Sequence, residues 1–380
     1  MKILQYILVA ALSSVMLSSC IRHELLNAEC DITAATLEGD VLNRAPQINN
    51  NTVLFVLKDN VSADALAPEF TLTPGATIDP PNGTVRDFTE PQQYTVTSED
   101  GKWHKTYTVT VQTNFYVSLE YDFESVRLIE TNKGKSHYDQ FYQDGDEGGA
   151  TLTWASANQA FVIATFGAAT EPDQFPTYQG DNGVEGKCAV LVTRATSTFA
   201  SKLGKPIAAG NLFFGTFDDT NMDMNNPLAA THFGIPFMNI PTHFSGYYKY
   251  KPGDVFRQVD ADKNFVEVPG RVDIFNLYAV MYEVTADMPY LDGSNVLAPD
   301  NPNIICTAEI PDRHASDEWV YFNIPFRYRV GKTIDKDKLA AGLYNLAIVA
   351  SSSMDGDLFA GAIGSTLMID ELLLTCSTED

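Results

Sequence analysis

Cationic side chains are scarce in this 380-residue chain: 25 Lys and Arg stand against 49 Asp and Glu, a formal net charge of -24. That balance argues against a nucleic-acid partner, because a phosphate backbone needs a basic face and no stretch supplies one. Cysteine is also sparse. Beyond Cys20 there are Cys30, Cys188, Cys306 and Cys376, far apart and never as Cys-x-x-Cys, so a zinc knuckle or thioredoxin-like redox site is unsupported. Buried free thiols are the simplest reading of the four, although an oxidising compartment would permit a bridge. His23, His104, His137, His232, His243 and His314 show no i, i+4 or His-x-His pairing. Phosphate-loop, His-Glu-x-x-His and Gly-x-Ser-x-Gly motifs are absent, as are internal repeats and low-complexity segments. What is present is a globular composition, 44% hydrophobic and 11% aromatic, at a length that suits two domains.

The first residues read as an address. Lys2 precedes Ile3, Leu4, Tyr6, Ile7, Leu8 and Val9, followed by small residues, the layout of a secretory signal over 1–19. The apolar part is shorter than the ~20 residues of a membrane span. It ends in Leu17–Ser18–Ser19–Cys20, which resembles the bacterial lipobox, so Cys20 is the expected lipidation site. No later window is apolar enough to cross a bilayer, which leaves lipid as the membrane attachment.

After a tether over 20–27, residues 28–115 read as a small β-sandwich. Thr52–Leu57 is a compact apolar run, Phe70–Thr73 precedes turn residues, and Tyr107, Val109 and Val111 alternate with threonines. Asp100–Gly101 is a hairpin signal between Tyr94–Thr97 and Tyr107–Val111. About 85 residues with turns every 8–12 positions suit an immunoglobulin-like sandwich. Residues 116–380 carry strand candidates at Ala160–Thr165, Cys188–Thr193, Leu212–Phe217, Gly246–Tyr250, Arg271–Tyr282, Trp319–Phe326, Tyr344–Ser351 and Ser365–Leu374. Only Lys336–Leu343 and Asn225–Ala230 offer a helical turn or two. Many strands without alternating helices favour a larger sandwich or jelly roll. The expected fold class is all-β throughout.

The best site signal is an alternation. Along Trp319–Phe326, Val320, Phe322, Ile324 and Phe326 share one strand face, while Trp319, Tyr321 and Asn323 share the other. An apolar face can enter the core and leave an aromatic and amide face outward. Sugar rings suit such surfaces: their C–H patches lie on aromatic rings and their hydroxyls take amide hydrogen bonds. Burial of Trp319 and Tyr321 under a loop is the competing reading. In Gly246–Gly253, Tyr248 and Tyr250 share one face and Tyr247, Lys249 and Lys251 the other, and Tyr-rich strands also serve sandwich cores. Tyr248, Tyr250 and Trp154 are further candidates for sugar contact. For cofactors, the sequence offers a structural calcium at Asp144–Gly145–Asp146, with Asp218–Asp219 plus Asp223 and Asp355 with Asp357 as other acidic turns. A solvated turn is the default reading of each. Among carboxylates for glycoside hydrolysis, Glu283, Asp317, Glu318, Asp370 and Glu371, spacing selects no pair.

Several strings carry a family resemblance. Leu66–Phe70, Thr73–Ile78, Gly83–Phe88 and Tyr94–Gly101 with Trp103 resemble the amino-terminal module of Bacteroides lipoproteins. Pro206–Phe213, Gly246–Gly253 and Gly364–Thr366 followed by Asp370–Glu371 resemble their carboxy-terminal "putative carbohydrate metabolism" domain. The resemblance implies an immunoglobulin-like domain, then a jelly roll similar to carbohydrate-binding modules, displayed at the outer membrane by a lipidated cysteine. It brings no catalytic residues. The expectation is therefore a lipid-anchored, extracytoplasmic protein that binds glycan or polysaccharide. A jelly-roll glycoside hydrolase or lyase is the alternative, and a surface adhesion or fimbria-like assembly protein the second.

Overall fold

The structure, a computed structural model, describes residues 26–42, 45–58, 61–112, 119–131, 134–143, 152–218 and 227–377. It is an all-β chain: a small amino-terminal sandwich followed by a larger jelly-roll sandwich. In the first, Gln47–Asn49, Thr52–Val56, His104–Gln112, Gln92–Thr97 and Thr77–Asp79 form a five-stranded sheet in that order. Ile32–Thr36 pairs antiparallel with Glu69–Leu72 beside it. The period-two pattern places Tyr107 and Val109 in the core with Val53, Phe55, Phe70 and Tyr94. Asp100 and Gly101 turn the chain between the antiparallel strands Gln92–Thr97 and His104–Gln112. Gly101 sits at φ +71, where a side chain would be strained.

The second sandwich has two sheets. The larger runs in the order Arg327–Tyr328, Ile304–Glu309, Asn276–Glu283, Tyr344–Ser351, Asn211–Phe217, Leu152–Ala155, Ser136–Gln143 and Val126–Thr131. Thr231–Phe233 and Ile235–Pro236 attach off this path. The smaller sheet runs Thr177–Gly180, Cys188–Val192, Thr366–Cys376, Pro241–Lys251 and Ser316–Pro325, with Glu120–Tyr121 against Thr366–Cys376. Inward side chains from both sheets form one core that includes Trp154, Phe214, Phe244, Tyr248, Leu277, Phe322, Ile348 and Ile369. Burying such rings, at roughly 2–3 kcal/mol each, is the main force holding the layers together.

One irregularity matters for the site. Ile369 and Leu372 both point inward although three residues apart, because the ladder to Pro241–Lys251 slips between Ser245 and Tyr247. Glu371 takes φ +49 at this bulge. Opposite it, Gly246 lies at φ +153, and a Cβ there would meet Leu372 Cδ2 at 2.5 Å. The bulge thus restores inward packing after Asp370 has been turned outward.

Ala160–Thr165, expected as a strand, lies instead at the helix Asn158–Ala164. A short apolar run has no decisive period, and here Asn158 decides it. Its amide donates to the Thr177 carbonyl at 2.7 Å and accepts from the Thr177 N–H at 3.1 Å, docking the helix against the sandwich. Phe161 and Val162 are buried on one side while Ile163 is exposed.

Candidate functional site

The outer face of the smaller sheet carries the aromatic and amide set expected from Trp319–Phe326. Phe322, Ile324 and Phe326 are buried, whereas Tyr321 is 56% exposed and Asn323 is exposed. Trp319 is half-buried, packed beside Val190, Tyr178 and Met368 on the same outer surface. The neighbouring strand completes the surface. Tyr247 faces Tyr321 in register, with ring centroids 5.1 Å apart, and Ser245 faces Asn323. Lys249 Nζ lies 5.0 Å from the centre of the Trp319 ring. Residues two apart on a strand are separated by about 7 Å, so the three rows span roughly 13–14 Å along the strands. The arrangement is an outward patch of three rings, Tyr247 and Tyr321 tilted 53° to one another, with the Asn323 amide at one end and the Lys249 ammonium over Trp319 at the other.

Three expected contact residues are absent from that patch. Tyr248 and Tyr250 are 1% and 2% exposed and pack with tilted rings against Phe275 inside the sandwich, with ring centroids 4.7 and 5.0 Å away. Trp154 is also core, 4.3 Å from Phe214 and edge-on to Tyr121 at 5.5 Å. The reason is charge: the alternate face of Pro241–Lys251 carries Lys249 and Lys251, which cannot be buried unpaired, so the tyrosines of the other parity turn inward. That parity was visible in the sequence and points to Tyr247 and Lys249 as the surface residues.

Asp370 lies opposite Tyr247 in the ladder and is fully buried. Its carboxylate accepts from the N–H of Val184 at 2.6 Å and of Glu371 at 2.9 Å, pinning the loop before Cys188–Val192 onto the sheet. Burial pushes its pKa up to about 6 despite these hydrogen bonds. The neighbouring Glu371 is raised by burial and by the charges of Asp122, Glu185, Glu120 and Glu124. Of the other carboxylates singled out by sequence, Glu283 is paired with Lys338 at 2.6 Å, and Asp317 and Glu318 are exposed beside Trp319.

Asp144, Asp146, Asp219, Asp223 and Cys20 lie outside the described residues. Asp355 is engaged by Arg271. Among the described residues no cluster of three His, Cys, Asp or Glu side chains is arranged to hold a metal. Cys30, Cys188, Cys306 and Cys376 are free thiols; burial pushes Cys188 and Cys306 up to about 12 and Cys376 up to about 11.

Comparison with known proteins agrees with this architecture. Residues 32–111 match a family described as "SGBP, N-terminal", SGBP being surface glycan-binding protein. Residues 122–375 match the "Putative carbohydrate metabolism domain". A Bacteroides thetaiotaomicron crystal structure, described as a putative glycoside hydrolase, is 47% identical with a TM-score of 0.76, covering 94% of this chain and 100% of its own. A second, from Bacteroides vulgatus and described in the same words, is 41% identical with a TM-score of 0.62, covering 70% of this chain and 100% of its own. No curated protein matches. The chain carries an SGBP amino-terminal domain and belongs to the putative carbohydrate metabolism domain family.

Proposed function

We propose that the protein is a cell-surface glycan-binding protein, attached to the outer membrane through lipidated Cys20, which captures polysaccharide on the aromatic face of its second sandwich. The observation that carries this reading is the outward pair of half-buried Tyr247 and exposed Tyr321, flanked by Trp319 and Asn323. Tyr321 and Tyr247 take the apolar faces of successive sugar rings, Asn323 accepts or donates to hydroxyls, and Trp319 extends the surface. Such rings contribute without hydrogen-bond geometry being fixed at every unit, so several weak contacts add along a polymer. The amino-terminal sandwich acts as the spacer that holds this face away from the membrane.

A glycoside hydrolase is the second reading, favoured by the adjacent raised carboxyls of Asp370 and Glu371 beside Tyr247. Full burial of Asp370 under the Val184 loop weighs against it, since a general acid must reach the glycosidic oxygen. Binding to a polysaccharide panel, with reducing-end release read in the same samples, tests both. Retention without release supports capture, release abolished by Glu371→Gln supports hydrolysis, and neither would reject a glycan role.

A further inference from the structure

The opposite outer face of the same sandwich carries a groove that the sequence did not reveal. Its floor is two parallel rows across three strands of the larger sheet. Asn211, Ser351 and Asn276 are cross-strand neighbours in one row, and Phe213, Val349 and Tyr278 are neighbours in the next. Above this floor lies a cavity of about 480 Å³, within the range that holds small ligands. The wall toward the helix Asn158–Ala164 ends in Phe166 and Phe199, 71% and 58% exposed with ring centroids 5.8 Å apart. Phe359 stands on the wall formed by residues 354–359. Phe166 and Phe359 both sit at positive φ, +54 and +55, which bulky side chains rarely adopt.

Two features define the occupant. The lining has one cation and one anion, Lys205 and Asp357, so it favours neither charge and selects a neutral ligand. The Asn276 side chain lines the groove, yet its amide oxygen is buried without a hydrogen-bond partner. With that oxygen enclosed, the amide NH2 is the end of the side chain open to a ligand, as a donor to hydroxyl oxygens. A pyranose suits this lining: its apolar C–H faces match the exposed rings of Phe166 and Phe199, and its hydroxyls match the Asn276 amide.

We infer that this groove is a second glycan-binding site, specific for uncharged sugar residues and separate from the Tyr247–Tyr321 face. The inference rests on the glycan reading above but concerns a different surface. With sites on opposite faces, one molecule joins two polymer segments, or two stretches of one chain, and gains avidity from their linkage.

The test is isothermal titration of the intact protein with neutral gluco-, galacto-, manno- and xylo-oligosaccharides, repeated for Asn276→Ala, Phe166→Ala and Tyr321→Ala. Two classes of site are expected. Asn276→Ala and Phe166→Ala weaken one class about tenfold, the loss of one hydrogen bond or one stacked ring, and leave the other intact. Asn276→Ala keeps or raises Tm, because it breaks no protein hydrogen bond and removes an unsatisfied buried oxygen. Tyr321→Ala weakens only the second class. A single class of site, lost with Tyr321→Ala and untouched by both groove variants, overturns the groove and leaves the aromatic-face reading standing. Absence of all oligosaccharide binding rejects both. Binding of a fatty acid in the groove, blocked by Phe166→Ala while no sugar competes, also overturns the inference.

Discussion

Replacing Asp370 with asparagine isolates the energetics of the most deeply buried carboxylate at the site's edge. In the folded protein its pKa stands at about 6, against an ordinary carboxylate value near 4 once unfolded. The folded state therefore binds the proton more tightly, and this group's contribution to stability falls as pH rises from about 4 to about 6, then levels off. Above that window the ionised, buried carboxylate costs on the order of 3 kcal/mol relative to its unfolded state. Asp370→Asn removes the titration but presents an NH2 to one of the backbone N–H groups the carboxylate now serves, among them those of Val184 and Glu371. That loss costs about 1–3 kcal/mol at every pH. At pH 7 the two effects nearly cancel. At pH 4 the parent is protonated, only the loss remains, and the variant is the less stable. Urea unfolding of both proteins from pH 4 to pH 8, followed by fluorescence of buried Trp154, reads the difference directly. The stability gap moves against the variant by about 3 kcal/mol on going from pH 7 to pH 4. A gap constant over that range would show that Asp370 titrates normally and that the reasoning about its burial is wrong.

Three other outcomes follow from burial and chemistry. Tyr248→Ala costs about 3–5 kcal/mol in chemical unfolding because its ring sits in the core, whereas Tyr247→Ala one position away costs under about 1 kcal/mol; equal losses would contradict the assigned strand faces. Cys188 and Cys306 resist thiol labelling at neutral pH until the sandwich is unfolded, since both are buried and their thiols stand near 12; rapid labelling in native buffer would contradict that placement. Cys20→Ala shifts the protein from the membrane pellet to the soluble fraction, and unchanged membrane retention would remove the lipid anchor from the account.

Legibility of the sequence varied with the range of the determining contacts. Trp319–Phe326 could be parsed because its two faces differ in polarity, and period-two alternation needs no partner strand to be seen. Gly246–Lys251 offered tyrosines on both faces, and the lysines, rather than the rings, carried the decisive information. The bulge at Glu371 was hidden because it arises from pairing with Gly246 over a hundred residues earlier. Ala160–Thr165 misled because its helical state depends on Asn158 meeting Thr177 in space. The groove left no spacing signature: Phe166, Asn276 and Phe359 converge only after the strands have paired, and nothing local announces a phenylalanine at positive φ.

The central claim is that the Tyr247–Tyr321 face binds polysaccharide. Its most direct test is affinity electrophoresis of the intact protein through gels containing individual polysaccharides, beside the double variant Tyr247→Ala/Tyr321→Ala and with Tm measured for both. Each ring is worth about 1–2 kcal/mol of contact, so the account predicts retardation by at least one polymer that weakens tenfold or more in the double variant, at an unchanged Tm. Equal retardation of the two proteins would contradict it.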